Sequence, residues 1–234
     1  VLFRSPSPEA VEGMQITEFT RQIERKYRID LPTYEDLHRW SVESPEEFWS
    51  EVWDYGRIVA AKKGGTVLVD GDKMPGAKWF PEARLNFAEN LLRRGDQGDA
   101  LVFWDERGFQ KRLSYSALTS EVSRASQAIA QLGLRPGDRA AAFIPNMPET
   151  MVCALAAMSQ GIVWSSCSPD FGTSGVLDRF GQIEPKILIT CDGYYYAGKT
   201  IRMAEKIGHV LKELKSVERA LVIDYIGEAE GVAR

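Results

Sequence analysis

Residues 193–200 read GYYYAGKT: two glycines with four residues between them, then Lys199 and Thr200. This is the spacing of a phosphate loop, whose amides cradle phosphates while the lysine reaches their oxygens and the hydroxyl meets magnesium. A strand is expected before it and a helix after it. ALVID, Ala220 to Asp224, imitates the apolar strand that ends in a magnesium-binding aspartate. On that pattern the chain is a nucleotide hydrolase. Two features oppose it. Tyr194, Tyr195 and Tyr196 are bulky where the backbone must wrap tightly round an anion. Several strand–helix units also precede the motif, which usually opens the first. A surface loop in a non-catalytic α/β binding module is the other reading open at this point.

Other chemistry is sparse. The cysteines are Cys153, Cys167 and Cys191, and the histidines are His38 and His209. An odd count without a CxxC spacing indicates neither a disulfide framework nor a zinc site, so no metal site is expected. Cys167 and Cys191 end strands that look adjacent, but no base accompanies either, and no thiol nucleophile is proposed. Lys199, Arg202 and Lys206 recur at helical spacing and read as one basic helix face, a pattern that more often marks a solvated surface.

The elements that must hold these residues change in texture along the chain. Ile16, Phe19, Ile23 and Tyr27 form a helical stripe. Thr33 with Asp36, and Ser44 with Pro45 and Glu47, read as helix starts, the second the better capping box. Phe48, Trp49, Val52 and Trp53 follow, then a loop with one short strand, Thr66 to Val69. From Ala100 a hairpin is expected around Gly108. Ser114 should cap a helix that Gly133 ends. Strands Ala140 to Ile144, Ile162 to Cys167, Lys186 to Cys191 and Ala220 to Asp224 alternate with helices. The last of these helices is read to carry Ile201, Ala204, Ile207, Leu211 and Leu214. Such alternation requires crossover connections, hence a parallel sheet covered on both faces. Ligands of such sheets bind beyond the carboxyl ends of the strands. There the loops 145–148, 168–173 and 192–199 should lie, with Lys199 approaching the 168–173 loop.

Composition limits the rest. Lys and Arg total 29 against 33 Asp and Glu, with 44% apolar and 26% charged residues. That excludes a DNA-coating protein and a disordered chain. No apolar run approaches a bilayer span. No nucleic-acid or membrane partner is expected, and a reducing, cytoplasmic compartment is.

Three segments carry a resemblance. GAKWFPEARLNFAENLL (Gly76–Leu92), WSSCSPDFG (Trp164–Gly172) and GVLDRFGQIEPKIL (Gly175–Leu188) are similar to the acetoacetyl-CoA synthetases, and IPNMPE (Ile144–Glu149) to the wider adenylate-forming superfamily. The resemblance implies an α/β fold in which a helical N-terminal extension precedes a partial parallel-sheet βα subdomain of the adenylate-forming large domain. Residues 6–95 are expected to be the extension and 96–234 the start of the AMP-binding domain. Residues 1–5, VLFRS, read as a translation of adapter DNA and are expected to be a non-native scar, which resequencing the locus tests.

It further implies ATP-dependent ligation of acetoacetate to CoA, with Mg²⁺, through an acyl-adenylate. The Ser/Thr/Gly-rich phosphate loop and the catalytic lysine are not found. Thr173-Ser174-Gly175 copies three letters of that loop and departs, so no catalytic residue is expected within the chain and the chain alone should be inactive. What carries over is part of the CoA entrance. Tyr196 and Lys199, around Ala197-Gly198, match two arginines that meet CoA phosphates in acetate-activating relatives. Asp170, beside Phe171, matches a glycine on the pantetheine path.

Overall fold

A computed structural model describes residues 6–232. The expectation for residues 1–5 falls outside the described residues. The chain divides into two compact units, through Leu85 and from Asn86 onward.

The first unit is mainly helical: α1 (Pro8–Glu12), α2 (Gln15–Tyr27), α3 (Tyr34–Glu43) and α4 (Pro45–Tyr55), then the two-residue strands β1 (Leu68–Val69) and β2 (Lys78–Trp79). Along α2, Phe19 and Ile23 are buried, whereas Ile16, expected in the same stripe, is exposed. Thr33 caps α3 with a full capping box. Ser44, expected to make the better box, makes no side-chain cap bond. It closes α3 and opens α4 at once, at φ −128° and ψ 60°, away from the usual cap geometry. Aromatic rings fill the core: Phe19 lies 5.1 Å from Tyr55 and 5.9 Å from Phe48, and Tyr27 lies 5.1 Å from Trp40. Glu51 is buried among them and accepts hydrogen bonds from Lys26 and the Tyr27 hydroxyl.

The second unit opens with α5 (Phe87–Leu91), the hairpin β3 (Asp99–Asp105) and β4 (Gly108–Ser114), and α6 (Tyr115–Gln131). Ser114 accepts from the Ala117 amide, as a cap should. There follow β5 (Arg139–Phe143), α7 (Pro148–Ser159), β6 (Val163–Cys167), α8 (Thr173–Ile183) and β7 (Ile187–Cys191). A second hairpin, β8 (Gly193–Tyr196) and β9 (Lys199–Arg202), precedes α9 (Ala204–Glu213) and β10 (Arg219–Ile223).

Strands β5, β6, β7 and β10 form one parallel sheet in the order β10-β7-β5-β6. Alternation along β5 and β7 splits the core. Ala140, Ala142, Ile187 and Ile189 pack with Leu118, Val122 and Leu155 of α6 and α7. Ala141, Phe143 and Leu188 pack with Val176, Phe180 and Ile207 of α8 and α9. Helices therefore cover both faces, the condition under which strands as apolar as ILITC are stable. Cys167 and Cys191 end strands on opposite sides of β5, and so are not neighbours as expected. Among the described residues no helix is long and apolar enough to cross a membrane.

Candidate functional site

The loop after β5 leads to α7 on one face, while the connections after β6 and β7 lead to helices on the other. Diverging loops of this kind open a crevice at the carboxyl edge. The residues expected to do chemistry lie in two segments there.

The first segment is 193–202, expected as a loop running into a helix. It is instead the antiparallel hairpin β8–β9, with Tyr194 opposite Ile201, Tyr195 opposite Thr200 and Tyr196 opposite Lys199. Three tyrosines favour extended backbone. Ala197 and Gly198 link the strands, both at positive φ (52° and 72°), as a type I′ turn requires. The amides are thus committed to a ladder and do not converge on one centre, so the phosphate-loop reading of residues 193–200 fails. Ile201 belongs to β9 and not to the following helix, and Lys199, Arg202 and Lys206 do not share a helical face. Arg202 makes two 2.7 Å bonds to Glu228. Thr173, Ser174 and Gly175, likewise, are the first turn of α8 and no loop.

Strand alternation puts Tyr194, Tyr196 and Lys199 on one face of the hairpin and Tyr195 on the other. The Tyr195 face is docked. The Arg107 guanidinium stacks 3.6 Å from the centre of its ring. Asp105 holds Arg107 through the Arg107 amide at 2.8 Å and Nε at 3.0 Å, and also accepts the Tyr225 hydroxyl at 2.8 Å. Arg107 holds the Asp105 carboxyl at about 2. The turn is docked too: the Gly198 amide donates to Glu106 at 2.9 Å. Tyr196 and Lys199 remain exposed on the opposite face.

The second segment, after β6, carries Asp170 and Phe171. The side chain that reaches it from the hairpin is that of Tyr194, not Lys199: its hydroxyl donates to Asp170 Oδ1 at 3.0 Å. Burial, then the neighbouring Asp170, pushes the Tyr194 phenol up to about 12. The Ser168 hydroxyl donates to Asp170 Oδ2 at 2.9 Å. Asp170 is therefore a paired turn carboxylate. Phe171 is partly exposed, with the Arg179 guanidinium 4.1 Å from its ring centre.

Between the segments sits Asp192, 1% exposed and directly beyond β7. It accepts the amides of Tyr225 (2.8 Å), Ile226 (3.0 Å) and Glu228 (2.8 Å). Burial works against its charge, but these amides outweigh it and hold the carboxyl below its ordinary value. Burial pushes the Cys191 thiol up to about 12 and the Cys153 thiol to about 11, so neither is a thiolate nucleophile. Sequence reading missed Tyr194, Asp105, Arg107 and Asp192. A run of three tyrosines, which favours extended backbone, was the one signal available for the first.

Comparison with known proteins places the chain among families of known fold. The family profile described as AMP-binding enzyme covers residues 87–233, and that described as acetyl-coenzyme A synthetase N-terminus covers residues 34–91. Acetoacetyl-coenzyme A synthetase of Rhizobium meliloti (strain 1021) is 45% identical over 97% of this chain and 35% of its own length. Malonamoyl-CoA synthetase of Penicillium aethiopicum is 34% identical over 95% of this chain and 31% of its own. The solved acetoacetyl-CoA synthetase from Streptomyces lividans superposes with a TM-score of 0.90 at 35% identity, over 95% of this chain and 35% of that one. The chain thus spans about a third of the length of the relatives it matches. With a parallel sheet wrapped on both faces and a profile match over most of its length, the chain belongs to the AMP-binding enzyme family.

Proposed function

We propose that the chain serves an ATP-dependent acetoacetate–CoA ligase, as a helical extension (residues 6–95) and the CoA-side beginning of the AMP-binding domain (residues 96–234). A carboxylate is a poor acyl donor. Attack of acetoacetate on the α-phosphate of ATP releases pyrophosphate and leaves a mixed anhydride with a good leaving group. The CoA thiol then attacks the acyl carbon, giving acetoacetyl-CoA and AMP. Mg²⁺ belongs to the phosphate chemistry of the whole reaction. Among the described residues no group of three or more His, Cys, Asp or Glu is placed to hold a metal ion.

The share assigned here is the CoA entrance. One observation carries it: Tyr196 and Lys199 stand exposed on the hairpin face that also bears Tyr194, the residue bonded to the Asp170–Phe171 loop. Lys199 would hold a CoA phosphate as a point charge, and the Tyr196 ring would stack on adenine. Ala197 and Gly198 supply the turn between them, and Phe171 with Asp170 borders the pantetheine path. A cytoplasmic setting goes with this substrate set.

Calorimetric titration of the purified 234-residue chain tests the assignment. CoA should bind, and Lys199→Ala should weaken CoA about 5- to 10-fold while sparing pantetheine, which carries no phosphate. Equal losses for both ligands would remove Lys199 from the phosphate. The chain should release no pyrophosphate with ATP and acetoacetate, and robust release would contradict the division of labour.

A further inference from the structure

We infer that Lys206 is a positioning residue for the pantetheine arm of CoA, fixing the 168–172 loop and with it Phe171; this rests on the CoA-entrance reading. Lys206 is the third residue of α9, and its ammonium lies 2.8 Å from the Pro169 carbonyl and 3.3 Å from the Phe171 carbonyl. It also lies 5.5 Å from the centre of the Phe143 ring. A cation in the first turn of a helix works against the macrodipole, typically by about 0.3–1 kcal/mol. Helix stability therefore gives no reason for a lysine here. The two carbonyls and the ring do.

The remaining bonds of the loop are local or come from one neighbour. Phe171 donates its amide to the Ser168 carbonyl at 3.2 Å, Ser168 and Asp170 bond to each other, and Tyr194 meets the Asp170 carboxylate. Among the described residues, Lys206 is the side chain that grips the main chain on both sides of Asp170. Phe171 is thereby held twice, by its carbonyl at Lys206 and by its ring under Arg179. Lys206 points at backbone and not at solvent, so it acts on a ligand only through the loop.

The test compares the wild-type chain with Lys206→Met and Lys206→Arg by calorimetry against CoA and pantetheine, with hydrogen exchange followed at residues 170–172. Met keeps the aliphatic stem and removes the donor. Arg restores donors for two carbonyls. Lys206→Met should weaken CoA and pantetheine by the same factor, at least about fivefold. It should speed exchange in the loop and leave β5 and β7 unchanged, and Lys206→Arg should recover affinity to within about twofold. Unchanged affinity in Lys206→Met, a loss that Arg does not recover, or faster exchange throughout β5 and β7 overturns the inference alone. Failure of the wild-type chain to bind CoA overturns the reading beneath it.

Discussion

Asp105 gathers an arginine from its own hairpin and a tyrosine from a distant stretch of chain into one contact, and its acidity records the result. The Asp105 carboxyl is lowered from 3.8 to about 2 by the Arg107 hydrogen bonds first, against the cost of burial, with Tyr225 adding to the lowering. A depressed folded value means that the stabilisation is complete above the unfolded value and is lost as pH falls through the folded one. The docking of β8–β9 on β3–β4 should therefore weaken between about pH 4 and pH 2. Asp105→Asn should remove that acid step and destabilise the second unit by about 1.5–3 kcal/mol at neutral pH, read by urea titration at both pH values. The same scale explains which site residues were legible. Lys199, Tyr196, Asp170 and Phe171 could be named because they match a linear motif. Asp105 and Tyr225 could not, since 120 positions separate them. Lys206 bonds to main-chain carbonyls, which leave no mark in residue types.

Among the elements, strands β5, β6, β7 and β10 and the helices between β5 and β7 were legible because short apolar runs alternate with segments of helical period. The β8–β9 hairpin was not. GYYYAGKT satisfies a phosphate-loop spacing by coincidence, and α9 begins after Met203, which makes no side-chain cap bond to announce the start. Ile201 therefore passed as helical. Ser44 misled in the opposite sense, since its residue type suits a cap while its shared position between α3 and α4 denies it the cap bond. The hairpin makes a graded prediction at its glycines. At Gly198, φ is 72° with open space around a Cβ, so Gly198→Ala should cost only the left-handed penalty, about 1 kcal/mol. At Gly193 a Cβ would stand 2.5 Å from the Ile201 carbonyl oxygen and 2.5 Å from Ile226, so Gly193→Ala should cost more, about 2–3 kcal/mol. Thermal melts of the two variants should rank in that order, and a reversed order would remove the close packing of β8 on β9.

On the scale of the whole molecule, the two units differ in what fills them. The helical unit is built on aromatic rings and the other on a sheet with small and branched residues; all three cysteines lie in the second unit, with Trp104 and Trp164, while the remaining four tryptophans lie in the first. Cys153 and Cys191 are buried on one face of the sheet and Cys167 on the other. Trp40, Trp49, Trp53 and Trp79 lie in the helical unit. Phe180→Ala should cost about 3–5 kcal/mol and raise the rate of thiol alkylation at Cys167 by at least about 100-fold, measured by mass spectrometry under native conditions. The buried thiols thus act as a clock with two hands. Alkylation at Cys167 times the opening of one side of the sheet, and alkylation at Cys153 and Cys191 times the other. Tryptophan emission, meanwhile, follows mainly the helical unit, and the order in which the three signals are lost along a urea gradient ranks the weakest part of the protein.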